Sequence, residues 1–179
     1  MSRIRVINPL AIASWVGDVG LGGGEPGDVA LREVERLIFA YSYNWDSRDA
    51  QATALLFTES AEVGFFLDGA EPATHRTVGR DQLVEEMVAR TEMLKRWRVE
   101  TRHLMMNTVF GPSADGMVEA MTTAVIFWQQ RPDHPAPQAV QTGYYRSWCV
   151  PTDLGWRFQR RETHMSGVFH PKLLYQKPE

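Results

Sequence analysis

From Arg98 onward the chain stops reading as helix. Segments Arg98–Phe110, Met117–Gln129, Gln141–Val150 and Trp156–His164 are rich in Thr, Val, Phe, Tyr and Trp, residues that suit a pleated, half-buried surface. Turn material separates them: 111–116, 131–137 and 151–155 concentrate Gly, Pro, Asp and Ser. Four long strands in succession predict an antiparallel meander, and the chain before them must cover one of its faces. Leu31, Val34, Ile38, Tyr41 and Trp45 recur every three or four residues, which is one face of a helix capped by Asp28 and ending near Trp45. Asp46-Ser47-Arg48-Asp49 stops it. A shorter helix is expected over Ala50–Phe57, then a strand near Glu62–Leu67. Gly69, Pro72 and Gly79 mark a loop, and Asp81 caps a third helix from Gln82 to about Lys95. The order predicts an α+β domain over residues 29–166, with three helices on one face of a strongly bent antiparallel sheet.

Outside that domain, residues 1–28 read as an apolar arm followed by a glycine-rich linker, and 167–179 as a C-terminal tail. The arm carries Ile4, Val6, Ile7, Leu10, Ile12, Trp15 and Val16. It is either a tail or packs on its own domain or a partner subunit. A net charge of -3 without a basic block argues against nucleic acid or an anionic membrane as partner. The lone Cys149 excludes an intramolecular disulfide and a cysteine-based zinc site. No apolar run approaches the roughly 18 residues of a membrane span, so the expected location is the cytoplasm. Neither a metal-ligand spacing nor a phosphate-cradling glycine loop occurs, and no cofactor is expected.

Five short segments in this order resemble one known group. They are Tyr41–Asp49 with Leu56–Val63, Val78-Gly79-Arg80-Asp81-Gln82-Leu83, the strand Thr101-Arg102-His103-Leu104-Met105-Met106-Asn107, Gly143-Tyr144-Tyr145, and Gly155-Trp156 through Arg161. Together they resemble the SnoaL-like family of the nuclear-transport-factor-2-like superfamily, whose fold is a cone-shaped α+β barrel around a cavity. The resemblance spans about residues 30–165. It implies that Asp46, at the end of the first helix, pairs with His103 of the T-R-H strand, as in scytalone dehydratase and bile-acid dehydratase. A carboxylate on one imidazole nitrogen fixes the tautomer and raises basicity, leaving the other nitrogen to take a proton. Tyr41 resembles the tyrosine that donates to a substrate oxygen, although it also fits as a core residue on the apolar stripe. Arg161 matches an arginine that could hold an anionic or carbonyl oxygen. Strand parity puts Arg160 on the side of Trp156 and Phe158 unless a bulge intervenes, so either arginine could look inward; Arg161 is favoured.

Phe65, Asn107, Trp128 and Tyr145 are the expected substrate-binding residues. His75 and His134 read as solvated, and His170 as tail or as part of a segment over the cavity mouth. The chain departs from the dehydratase pattern at 121–128, where Thr122 and Thr123 stand in place of a second histidine or acid. Glu62, Asp68 and His164 are the spare candidates. The expected function is cofactor-independent lyase, isomerase or cyclase chemistry on a small hydrophobic polyketide-, terpenoid- or steroid-like substrate, by a homodimer. The alternatives are a noncatalytic small (beta) subunit of a ring-hydroxylating dioxygenase, or a ligand-binding module with a vestigial cavity.

Overall fold

The first helix, α1 (Asp28–Asp46), buries Val34, Leu37, Ile38 and Tyr41 along the stripe its spacing predicts. These elements come from a computed structural model that describes residues 27–111, 116–175 and 177. The N-terminal arm expected over 1–28 lies outside them apart from Gly27 and Asp28. After α1 the chain forms α2 (Ala50–Ala54), β1 (Phe57–Leu67), β2 (His75–Val78) and α3 (Arg80–Arg96). The meander follows as β3 (Val99–Phe110), β4 (Val118–Gln130), β5 (His134–Thr152) and β6 (Gly155–Gly167), closed by a 3-10 turn at Pro171–Leu173.

The six strands form one sheet in the order β2-β1-β6-β5-β4-β3. All pairings are antiparallel except β1 with β6, which is parallel; β2, α3 and the first three strands of the meander lie between the two in sequence and supply the crossover. β4 alternates buried and partly exposed residues along its whole length, with Val118, Ala120, Thr122, Ala124, Ile126, Trp128 and Gln130 on the covered face. The helices pack against that face, and the core lies between them and the curved sheet.

Three sequence expectations are corrected. β2 was expected to be loop; it is a four-residue edge strand whose partner is β1, from Glu62 opposite Val78 to Phe65 opposite His75. β1 begins at Phe57 and α2 ends at Ala54, because Phe57 is drawn into the core against Phe158 at 5.0 Å. β5 starts at His134, inside a stretch read as turn. Its first residues pair only with β4, since β6 joins at Gln141, so Pro135 and Pro137 sit where the outer edge has no ladder to donate to.

Two local features position the site. β6 carries a bulge: Cys149 faces Phe158 and the preceding residue, Trp148, faces Arg160, so Gln159 is extra. Phe158, Arg161, Thr163 and Met165 consequently turn inward, and Arg160, Glu162 and His164 outward. At Gly143 the two strands approach so closely that a Cβ would lie 1.9 Å from the His164 carbonyl oxygen. The segment after β6 does not trail off as expected. Val168 donates its N–H to Val140 O at 2.8 Å, and Pro171 and Tyr175 are buried.

Candidate active site

A cavity of about 380 Å³ opens between the helices and the concave sheet face. Its walls are largely apolar and aromatic, including Trp45, Phe57, Phe65, Met87, Trp128 and Phe169. Such a volume suits a ligand of a few fused rings.

The end of α1 fixes the first polar group. Arg48 adopts φ 61, turning the chain sharply, and its Nη2 donates to Val99 O at 2.8 Å, which ties this turn to the start of β3. Asp46 is thereby set beside Thr101 and His103. His103 donates Nδ1–H to Asp46 Oδ1 at 2.6 Å and its backbone N–H to Oδ2 at 2.8 Å; Thr101 Oγ1 donates to Oδ1 at 3.0 Å. The imidazole side chain is 5% exposed and that of Asp46 15%. Three donors on one carboxylate hold the imidazole in a single tautomer, leaving Nε2 as its acceptor.

Tyr41, one and a half turns earlier on α1, lines the same cavity, its ring edge-to-face with His103 at 6.4 Å and Tyr145 at 5.9 Å. Burial pushes both phenols above their usual range. The Arg161 charge pulls each back in part, while Asp46 pushes each further up. Arg161 is 1% exposed, and its guanidinium carbon lies 3.7 Å from the Tyr41 ring centre, 4.1 Å from Tyr145 and 4.7 Å from Phe158. Among the described residues none of its three nitrogens has a hydrogen-bond partner, and all three are buried. Tyr145 meets it ring face first.

An unpaired buried guanidinium is costly. Desolvation of an ion costs several kcal/mol, and each aromatic face returns roughly 0.5–2 kcal/mol. Arg161→Met is therefore expected to melt higher than the wild-type protein, by about 1–3 kcal/mol of stability, in a thermal melt. A lower melting temperature would mean that the rings depend on the charge for their packing.

Of the expected substrate-binding residues, Phe65, Trp128 and Tyr145 line the cavity. Asn107 does not. By parity it would follow His103 and Met105 inward, but it sits in an irregularity between Met106 and Val109 with φ 53, which turns it to the exposed side. The spare candidates lie elsewhere: Glu62 pairs with Arg76 on the surface, Asp68 forms a turn with φ 50, and His164 stacks between Phe66 and Tyr144 on the outer face. Neither Thr122 nor Thr123 reaches the cavity.

Several lining residues were not foreseen. His75 is solvated as read, its side chain 58% exposed, but it also reaches the cavity rim from β2, with Nε2 3.0 Å from Glu86 Oε2, the oxygen that also accepts from Thr77 Oγ1 at 2.6 Å. Arg90 donates to the Phe169 carbonyl at 2.6 Å, and burial pulls its guanidinium down to about 10. That contact holds Phe169 against Phe65 at 5.0 Å, so the segment after β6 completes the wall. Arg90 did leave a signal in the sequence, since it stands three residues after Met87 and four before Leu94 on the apolar stripe of α3. Among the described residues no group of three His, Cys, Asp or Glu side chains gathers, and no helix is long and apolar enough to cross a membrane.

Comparison with solved structures gives the same fold. The beta subunit of a putative aromatic-ring-hydroxylating dioxygenase from Novosphingobium aromaticivorans is similar over 84% of this chain and 97% of its own, at 19% identity and a TM-score of 0.67. A putative scytalone dehydratase from the same organism is similar over 79% and 85%, at 23% identity and a TM-score of 0.62. A third protein from that organism, an NTF2-like protein with a cystatin-like fold, covers 98% of this chain and 100% of its own, at 17% identity and a TM-score of 0.59. No curated protein matches in sequence. At these identities the likeness carries the NTF2-like fold alone. The sequence itself carries more: the SnoaL-like domain family matches residues 30–162, about the span over which helix end, T-R-H strand and bulged final strand enclose the cavity, and the chain belongs to that family.

Proposed function

We propose that this protein is a cofactor-independent lyase, isomerase or cyclase that moves a proton on a small hydrophobic polyketide-, terpenoid- or steroid-like substrate. The observation that supports it is the Asp46–His103 pair, joined at 2.6 Å on the wall of an apolar cavity. His103 Nε2 takes a proton from carbon next to a carbonyl. Asp46 keeps the ring oriented and stabilises the imidazolium that forms, more strongly than in water because the surroundings screen weakly. Tyr41 supports the oxygen that gains charge. The imidazolium then returns its proton, giving elimination, isomerisation or ring closure according to which atom receives it.

Base-catalysed ring opening of 5-nitrobenzisoxazole tests this without knowledge of the natural substrate. The base removes the ring C–H proton, the N–O bond breaks, and a coloured cyanophenolate forms. The protein is expected to exceed the rate of free imidazole at equal concentration. A rate no better than imidazole would count against the reading.

The dioxygenase beta subunit noted above supports a second reading as a noncatalytic subunit. Its mark would be co-purification with an iron–sulfur partner. The homodimer belongs to the first reading: Leu104, 48% exposed, and Met106 stand on the outer face of the sheet, where a second copy would cover them. Sedimentation as a monomer at micromolar concentration would remove it.

A further inference from the structure

The apolar stripe of α3 turns Arg90 toward the sheet, three residues after Met87 and four before Leu94. The side chain lines the cavity, and its guanidinium carbon lies 5.7 Å from the ring centre of Trp128 on β4. Trp128 stands opposite Thr101, whose hydroxyl donates to Asp46, so one residue pair connects this charge with the His103 end of the cavity. Nη1 is used: it donates to the Phe169 carbonyl at 2.6 Å and lies 3.9 Å from Met93 Sδ. Nε and Nη2 make no hydrogen bond among the described residues, which leaves one two-pronged edge of the guanidinium unfilled. Among the same residues no acid pairs with the charge. Glu86, one turn earlier on α3, is the natural partner, and of the described residues it is the one carboxylate on the cavity wall. It is committed elsewhere: Oε2 accepts from Thr77 at 2.6 Å and lies 3.0 Å from His75 Nε2, and Oε1 accepts from Gln82 at 3.2 Å. Asp46 is filled by Thr101 and His103. Burial therefore weighs on Arg90 with no opposite charge to offset it, and its guanidinium falls to about 10.

We propose that Arg90 anchors a carboxylate through its Nε–Nη2 edge, so that the cavity selects a hydrophobic ring acid over the neutral molecule of the same shape. Guanidinium and carboxylate match in plane and spacing, two parallel N–H···O bonds form, and the ligand supplies the charge that the wall lacks. Trp128, Phe65 and Phe169 give the ring system its apolar surroundings. The inference rests on the cavity being the substrate site, and it narrows the substrate class proposed above to acids; it does not rest on His103 acting as base. The contact to Phe169 defines the rival role, in which Arg90 only ties the segment after β6 to the wall. The two roles differ in what removal of the charge does to anionic and to neutral ligands.

The probes are 2-naphthoate and 2-naphthamide, which share ring and size and differ in charge at about pH 8, where the acid is fully ionised. Calorimetric titration reads both. The wild-type protein should bind the naphthoate at least about tenfold more tightly, the worth of a hydrogen bond to a charged partner. Arg90→Gln can still donate to the Phe169 carbonyl but carries no charge, so it should bind the two alike, with its naphthamide affinity close to that of the wild type. Arg90→Lys should keep a smaller preference, since an ammonium carries the charge without the two-pronged edge. Binding of neither probe to the wild type at millimolar concentration would overturn the proposal, as would equal affinity for the two or a preference that survives in Arg90→Gln. So would an equal weakening of both probes in Arg90→Gln and Arg90→Lys, which would make the arginine a tie for the last segment alone. Ring opening of 5-nitrobenzisoxazole, a neutral probe, reads His103 separately. An absent naphthoate preference with ring opening intact removes this inference alone, and the reverse removes only the base.

Discussion

His103→Ala and Asp46→Asn are each expected to lower the rate of proton abstraction by about 10²–10⁴-fold, the usual worth of a positioned general base and of its orienting carboxylate. The double variant should be little slower than His103→Ala, because the two groups act as one unit. Stability should respond differently in the two. Asp46 accepts three hydrogen bonds, and Asn presents an N–H₂ where an oxygen was needed. Leaving a donor unsatisfied there costs about 1–3 kcal/mol, which appears as a melting shift of several degrees. In His103→Ala the carboxylate keeps the Thr101 hydroxyl and the backbone N–H of residue 103 as donors. Rate loss without matching loss of fold, measured by turnover and thermal melts on the same samples, separates catalysis from support. Equal activity in His103→Ala would assign the base elsewhere in the cavity, with the His75–Glu86 pair as the next group to test.

Gly143→Ala should be among the most damaging single-methyl changes in the sheet. The added carbon would meet the His164 carbonyl oxygen at 1.9 Å and the Met165 Cα at 3.0 Å, and both are backbone atoms that cannot rotate away. Strands β5 and β6 would have to separate where their register runs from Gly143–Met165 to Tyr145–Thr163. A loss of about 3–5 kcal/mol is expected from such forced overpacking, enough to bring a domain of ordinary stability close to unfolding at room temperature. Denaturant titration reads it. Gly64→Ala is the control, because its Cβ would meet only the Phe66 ring at 2.9 Å, and that side chain can swing. Similar losses in both would show that the tight approach is not the cause.

Most of the sheet was legible because β4 keeps strict alternation over its whole length and turn residues bound each strand. β2 was not, because its four residues are too short to show a period and its strand character comes from pairing with β1. The same holds for the site. Asp46 and His103 were readable as a pair only through resemblance, since 57 positions separate them and the Arg48 turn joins them in space. His75, Glu86 and Phe169 each look ordinary in sequence and become wall residues only when an edge strand, a helix and the final segment converge. Asn107 was misplaced for the opposite reason: parity held up to Met106, and one positive φ broke it.

The extra residue in β6 bears on how related sequences should be aligned. Here the inward guanidinium stands three positions after the inward Phe158, because Gln159 and Arg160 both turn out. In a relative whose last strand is regular, the same guanidinium would stand two positions after its aromatic. A gap placed by residue matching alone would then pair an interior arginine with a surface one, and would report the loss of a group that had only changed its count along the chain. Comparisons across this family should be anchored on the strand partner, Ser147 opposite Arg161, rather than on distance from the preceding tryptophan.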